Sequence, residues 1–64
     1  MMMYAVMFFE EYVGYDFDEY SKIFKDINKA KEYCEKLNRE FAEANMCKIE
    51  DLGDYYIIKE VKTS

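Results

Sequence analysis

The stretch "MYAVMFFEEY" (Met3 to Tyr12) is rich in large residues in both of its alternating sets. The two sets are Met3, Ala5, Met7 and Phe9, and Tyr4, Val6, Phe8 and Tyr12. A β-strand points successive side chains to opposite faces of its sheet, so a strand with two apolar faces is typical of a central position. We therefore predict a sheet with this strand in its middle.

A second strand follows after a turn. Gly14 interrupts the alternation, and "YSKIFKD" (Tyr20 to Asp26) resumes it, with Lys22 and Lys25 suited to an exposed sheet edge. The two segments predict a hairpin whose strands are joined by a wide acidic loop.

Apolar residues in the middle of the chain recur at helical spacing. They are separated by 3, 4, 3, 4 and 3 positions and comprise Ile27, Ala30, Cys34, Leu37, Phe41 and Ala44. This pattern predicts an amphipathic helix, with Asp26 or Asn28 as its N-cap. A coiled coil needs three or four heptads and this helix offers little more than two, so packing on the sheet is favoured.

The remaining segments complete the predicted fold. "DYYIIKEVK" (Asp54 to Lys62) is typical of a strand, whereas "MCKIEDLGD" (Met46 to Asp54) predicts either a short extra strand or a loop. The predicted fold class is α+β: a small antiparallel sheet of three or four strands, with one helix packed on one face, in the order strand, strand, helix, strand. We expect one compact domain over residues 1–64.

One helix covers only one face of this sheet. Either Tyr4, Val6 and Phe8 or Met3, Ala5, Met7 and Phe9 must then point away from the helix, joined by alternate residues of the last strand. An exposed apolar face of this kind usually marks an interface.

The residue inventory argues against catalysis. The chain has no His, which removes the commonest general base and the commonest metal ligand. Cys34 falls on the helix stripe, where burial would raise its pKa, and Cys47 follows the helix; we predict both as free thiols. A glycine-rich loop that binds phosphate needs several glycines close together, and this chain has only single, separated glycines. We predict no catalytic residue, no cofactor and no metal site.

The first nine residues do not predict a membrane segment. Met1 to Phe9 is apolar, but a helix that crosses a bilayer needs about 20 such residues. Glu10 and Glu11 follow at once, where a signal peptide would have a cleavage site of small residues. We expect a cytoplasmic protein without membrane contact.

Residues 10–20, "EEYVGYDFDEY", form what we call the acidic segment. It holds five carboxylates and four aromatic rings without Lys or Arg, so the net charge of −5 equals the charge of this segment. That sign disfavours direct nucleic-acid binding. The candidate partner-binding residues are Glu10, Glu11, Tyr12, Tyr15, Asp16, Phe17, Asp18, Glu19 and Tyr20.

The acidic segment has four candidate roles. A divalent cation could bind Asp16, Asp18 and Glu19, but the glycine of a calcium-binding loop is missing. A basic protein partner would use the charges for steering and the rings as anchors. A self-interface would use the open sheet face, with the segment at its rim. A solvated loop would fold its rings over the core.

The passage "IFKDINKAKEYCEKLN" (Ile23 to Asn38), with the small size, acidity and Tyr-rich composition, resembles small proteins of phages and mobile elements of the host-inhibitor type. Anti-CRISPR and other anti-defence proteins are examples. The likeness covers about a quarter of the chain and carries over no functional residue. It implies an inhibitor that occupies a surface of a host protein, since acidic members often cover nucleic-acid-binding grooves.

From these observations we expect a non-enzymatic protein-binding module with a basic, nucleic-acid-handling partner. The alternative is a small homodimeric structural or accessory protein that uses its open sheet face as the dimer contact.

Overall fold

The computed structural model describes residues 1–62 and has the predicted α+β class. Its elements in chain order are β1 (Met2–Glu10), β2 (Gly14–Asp16), β3 (Lys22–Phe24), α1 (Ile27–Ala44), a short 3₁₀ helix (Ile49–Asp51) and β4 (Tyr55–Lys62). The predicted helix and the predicted last strand are confirmed.

The central position of β1 is also confirmed, because it pairs antiparallel with all three other strands. β4 runs along one edge of β1, from Met2 opposite Lys62 to Phe9 opposite Tyr55. Since that edge is filled, β2 and β3 share the other edge. Together they act as one interrupted edge strand.

The hairpin strands are shorter than predicted. β1 ends at Glu10 rather than at Tyr12, because the chain reverses over the next three residues. The second predicted strand, residues 20–26, is reduced to β3, because a turn over residues 18–21 and the helix cap at Asp26 occupy its ends. The loop predicted between the two strands contains β2, which the sequence did not predict.

The core lies between α1 and one face of the sheet. Val6 is fully buried and packs with Ala30, Cys34, Leu37 and Tyr56. Partly buried side chains surround this cluster: Tyr4, Phe8, Phe24, Tyr33 and Ile58. The predicted helix stripe is therefore confirmed in its middle.

The two ends of the stripe differ from the prediction. Ile27 and Ala44 are exposed, and Ala42 is buried instead. Asp26 is the N-cap, and its carboxylate accepts the backbone N–H of Asn28 at 2.8 Å. Ile27 is therefore the first residue of α1, ahead of Ala30, the first residue of the helix that is buried. Ala42 lies four residues after Asn38, which contacts β4, so both fall on the sheet-facing side.

A tight cap ends α1. The Met46 N–H donates to the Glu43 carbonyl at 3.1 Å, and the Cys47 N–H donates to the Ala42 carbonyl at 3.0 Å. This pair of bonds is the Schellman motif, whose central residue takes a left-handed conformation that favours glycine. Met46 occupies that position with φ 55°. The side chain of Met46 therefore imposes backbone strain.

The extra strand predicted as one option for residues 46–53 is not formed. After the cap, the Asp51 and Leu52 N–H groups donate to carbonyls three residues back, and the chain makes the 3₁₀ helix. These local bonds satisfy the backbone without a sheet partner. The fourth strand of the sheet is β2.

Asn38 closes part of the free edge of β4. Its Nδ2 donates to the Tyr56 carbonyl at 2.9 Å, and its Oδ1 accepts the Tyr56 N–H at 2.6 Å. An edge strand presents such groups to other chains unless something covers them. The helix thus protects the outer edge of β4 at the level of the core.

Candidate functional site

The acidic segment begins as a hairpin between β1 and β2. The Val13 N–H donates to the Glu10 carbonyl at 3.2 Å, and Gly14 has φ +104°, a value that side-chain-bearing residues rarely adopt. The Glu11 N–H donates to Asp54 Oδ1 at 3.3 Å, which ties the hairpin tip to the residue before β4. The tip therefore has a defined position at one end of the molecule.

Carboxylates converge at this end. Asp16 lies opposite Phe8, and Glu10 follows Phe8 by two positions, so both carboxylates are on the helix-facing side of the sheet. A hydrogen bond to Asp16, slight desolvation, and the negative charges of Asp16 and Asp54 raise the pKa of Glu10. The sequence did not predict Asp54 as a member of this cluster, because 38 positions separate it from Asp16 along the chain.

Asp18 is engaged inside the chain. Its Oδ1 accepts the Tyr20 N–H and the Ser21 hydroxyl, both at 3.0 Å, and its Oδ2 accepts the Tyr56 hydroxyl at 2.8 Å. Partial burial alone would raise the pKa of Asp18, but these hydrogen bonds outweigh burial and lower it. The geometry gives Asp18 a structural role, joining the acidic segment to the core at Tyr56.

The aromatic rings of the segment point in different directions. Tyr12 is 94% exposed at the hairpin tip, and Phe17 is 58% exposed in the loop after β2. Tyr15 instead lies opposite Phe9, on the sheet face away from the helix. Tyr20 borders the helix, where its carbonyl accepts the Tyr33 hydroxyl at 2.6 Å. The nine candidate residues therefore do not form one flat surface.

The remaining carboxylates of the segment, Glu11 and Glu19, are exposed. Glu19 interacts with the neighbouring Tyr20 hydroxyl. Glu10, Glu11, Asp16 and Glu19 take no part in the contacts that Asp18 makes with Ser21 and Tyr56, although Glu10 and Asp16 are hydrogen-bonded to each other.

The structure decides which side of the sheet is uncovered. Val6 and Phe8 pack toward α1, so the other alternating set of β1 faces away, together with its register partners on β2, β3 and β4. We call this surface the open face; it comprises Met3, Ala5, Met7, Phe9, Tyr15, Ile23, Tyr55, Ile57, Lys59 and Val61.

Phe9 lies between Tyr15 and Tyr55, with ring centroids 5.2 and 5.4 Å away. Lys59 Nζ lies 4.5 Å from the centroid of Tyr15.

Both cysteines are free thiols, as predicted. Cys34 is buried, and its Sγ donates to the Tyr56 carbonyl at 3.2 Å. Burial, with a smaller effect of the Glu35 charge, raises the pKa of Cys34, so its thiol packs rather than reacts. Cys47 is exposed.

Across residues 1–62, no three Cys, Asp or Glu side chains are arranged to hold a metal ion. Within the same residues, no helix is both long and apolar enough to cross a bilayer.

Comparison with protein-family models, with curated proteins and with solved structures gives no match to this chain.

Proposed function

We propose that this chain is a non-enzymatic protein-binding module whose acidic segment holds a basic surface of a partner protein. The observation that carries the proposal is the convergence of Glu10, Asp16 and Asp54 at the hairpin end. The two charges that act on Glu10 there are both negative, so they repel it. Lys and Arg side chains of a partner would replace this repulsion by attraction on binding.

The exposed rings support a protein partner rather than small ions. Tyr12 and Phe17 stand beside the carboxylates with most of their surface in water. Aromatic side chains of this kind are enriched among the residues that contribute most to protein interfaces, whereas charges steer encounter. The sharper form of the proposal is that the partner handles nucleic acid, since a groove lined with Lys and Arg for phosphates also attracts carboxylates.

Two variants of equal charge test the proposal. One neutralises the acidic segment through Glu11→Gln, Asp16→Asn and Glu19→Gln, which leaves the internal bonds of Asp18 in place. The other neutralises three exposed carboxylates elsewhere: Glu32→Gln, Glu43→Gln and Glu60→Gln. Each immobilised variant is compared with the unchanged chain for capture of basic proteins from the source cell.

We expect the first variant to lose its captured partner and the second to retain it. Added DNA or RNA should release the partner from the unchanged chain if the two compete for one groove. Equal loss of capture in both variants would overturn the proposal, because net charge alone would then explain binding. Full capture by both variants would overturn it too, because the acidic segment would then be dispensable.

The open face favours a second candidate function, a homodimer of structural or accessory role. Tyr15 and Ile23 are each about half exposed on this face, beside the row of rings around Phe9. Two copies that pair their open faces would remove these side chains from water. Ile23→Glu should then split a dimer seen by sedimentation, whereas Val13→Glu, an equal charge change at the exposed hairpin tip, should not. A monomer at all concentrations would remove this candidate.

A further inference from the structure

A notch lies between the acidic segment and α1, on the opposite side of the sheet from the open face. It is lined by Tyr20, Leu37, Glu40, Phe41 and Tyr56 and has a volume of about 220 Å³. Pockets for drug-sized ligands measure about 300–1,000 Å³. The notch therefore suits one long side chain better than a separate small molecule.

The walls of the notch are held in place by contacts outside it. Phe8 packs against Phe41 and Tyr56, with ring centroids 5.6 and 5.0 Å apart. The Tyr56 hydroxyl donates to Asp18, and Tyr20 is fixed through its backbone by Asp18 and Tyr33. The rings of Phe41 and Tyr56 and the backbone of Tyr20 are consequently positioned before any ligand arrives, which reduces the entropy lost on binding.

The lining of the notch is negative, although Lys36 and Arg39 lie beside Glu40 in a neighbouring depression of α1. Glu40 is one of its lining residues, and none of the five carries a positive charge. The charge and hydrogen bond of Glu19, slight desolvation, and the charges of Asp18 and Glu40 raise the pKa of Tyr20. Aromatic rings attract cations through their electron-rich faces, and a carboxylate beside them adds a charge-assisted hydrogen bond.

We propose that this notch receives one arginine side chain of the partner protein, between the rings of Tyr20 and Phe41 and the carboxylate of Glu40. Arginine fits better than lysine, because its planar guanidinium stacks on rings and pairs with a carboxylate through two hydrogen bonds. The inference rests on the proposed function, in which the partner is basic, and it names the contact that anchors the partner beside the acidic segment.

The test uses a defined probe without the partner. N-acetyl-arginine amide is titrated into the isotopically labelled chain, and the NMR signals of Tyr20, Leu37 and Phe41 are followed. We expect saturable shifts at millimolar concentration that are confined to the notch. N-acetyl-citrulline amide, which has nearly the same shape but no charge, should bind at least about tenfold more weakly, the loss expected when a charge-assisted bond and a cation–π contact weaken together.

Matched variants place the effect at the notch. Glu40→Gln should weaken binding of the arginine probe about tenfold, since the charge-assisted bond is lost. Glu43→Gln, which removes an exposed carboxylate of α1 that does not line the notch, should leave binding unchanged. Equal binding of the citrulline probe, an unaffected Glu40→Gln variant, or shifts spread over the whole acidic segment would each overturn the inference.

Two outcomes separate arginine binding in the notch from capture of a basic partner by the acidic segment. A partner that is captured through the acidic segment but ignores Glu40→Gln, together with no response to the arginine probe, would refute the notch alone. Specific binding of the probe without any captured basic partner would support the notch and refute the proposed function.

Discussion

Asn38→Ala tests whether a single amide holds the helix to the edge of the sheet. The side chain makes two hydrogen bonds with the backbone of Tyr56, at 2.9 and 2.6 Å, and both are partly buried. A typical intramolecular hydrogen bond contributes about 0.5–1.5 kcal/mol, so the pair contributes about 1–3 kcal/mol. Alanine recovers at most about 0.7 kcal/mol through its higher helix propensity. We expect a net loss of about 1–2 kcal/mol.

This loss is a large part of the stability of so small a chain. At roughly 0.05–0.15 kcal/mol per residue, 64 residues give about 3–10 kcal/mol in all. Urea unfolding followed by circular dichroism should therefore show a clear fall in midpoint at unchanged slope. Hydrogen exchange should also show that the Tyr56 amide has lost protection, because its acceptor is gone.

Asn28→Ala supplies the control, since Asn28 is an exposed residue of the same helix. Its free energy of unfolding should stay within about 0.5 kcal/mol of the unchanged chain, the usual range for surface substitutions. If Asn38→Ala were no more destabilising than Asn28→Ala and the Tyr56 amide kept its protection, the Asn38 amide would not hold α1 to β4.

Three further predictions concern the fold. Leu37→Ala should cost about 2–5 kcal/mol in unfolding free energy, the range for a buried large-to-small change, and a loss below about 1 kcal/mol would show that α1 does not pack as described. Met46→Gly should stabilise the chain by about 0.5–1 kcal/mol, because glycine removes the strain at φ 55° at some entropic cost; destabilisation would contradict the Schellman cap. The pKa of Asp18 is lower in the folded chain than in the unfolded chain, where it is about 3.9. Its contribution to the free energy of unfolding is therefore complete above about pH 4 and is lost as the pH falls through the pKa of the folded state. The stability gap between the unchanged chain and Asp18→Asn should therefore narrow below about pH 4, and a gap independent of pH would contradict this.

Most of the fold follows from periodic patterns in the sequence. β1 is apolar on both faces because one set packs under α1 and the other lies on the open face beside side chains of the flanking strands, and α1 has a stripe because it covers one face. Such repeats depend on many residues at once and tolerate local exceptions. The strand β2 has only three residues and owes its formation to pairing with Phe8–Glu10, which nothing in its own composition indicates.

The site was less predictable because it depends on contacts between distant segments. The role of Asp18 depends on Tyr56, which is 38 residues away, and the role of Asn38 depends on the same residue. A lone polar residue beside an apolar stripe has no sequence signal that separates it from a solvated one. The notch likewise combines Tyr20 with Phe41 and Tyr56, from three different elements or loops.

The role of the acidic segment in attracting a basic partner is tested by the rate at which the chain associates with its captured partner, measured at about 50 and 300 mM salt. An exposed negative surface raises association rates about 10-fold or more at low salt, and screening removes this advantage. We expect the Glu11→Gln, Asp16→Asn, Glu19→Gln variant to associate several-fold more slowly at low salt, with much less salt dependence. The Glu32→Gln, Glu43→Gln, Glu60→Gln variant should behave like the unchanged chain. Equal slowing in both variants, or association rates of the unchanged chain that do not depend on salt, would contradict a role of the acidic segment in attracting the partner.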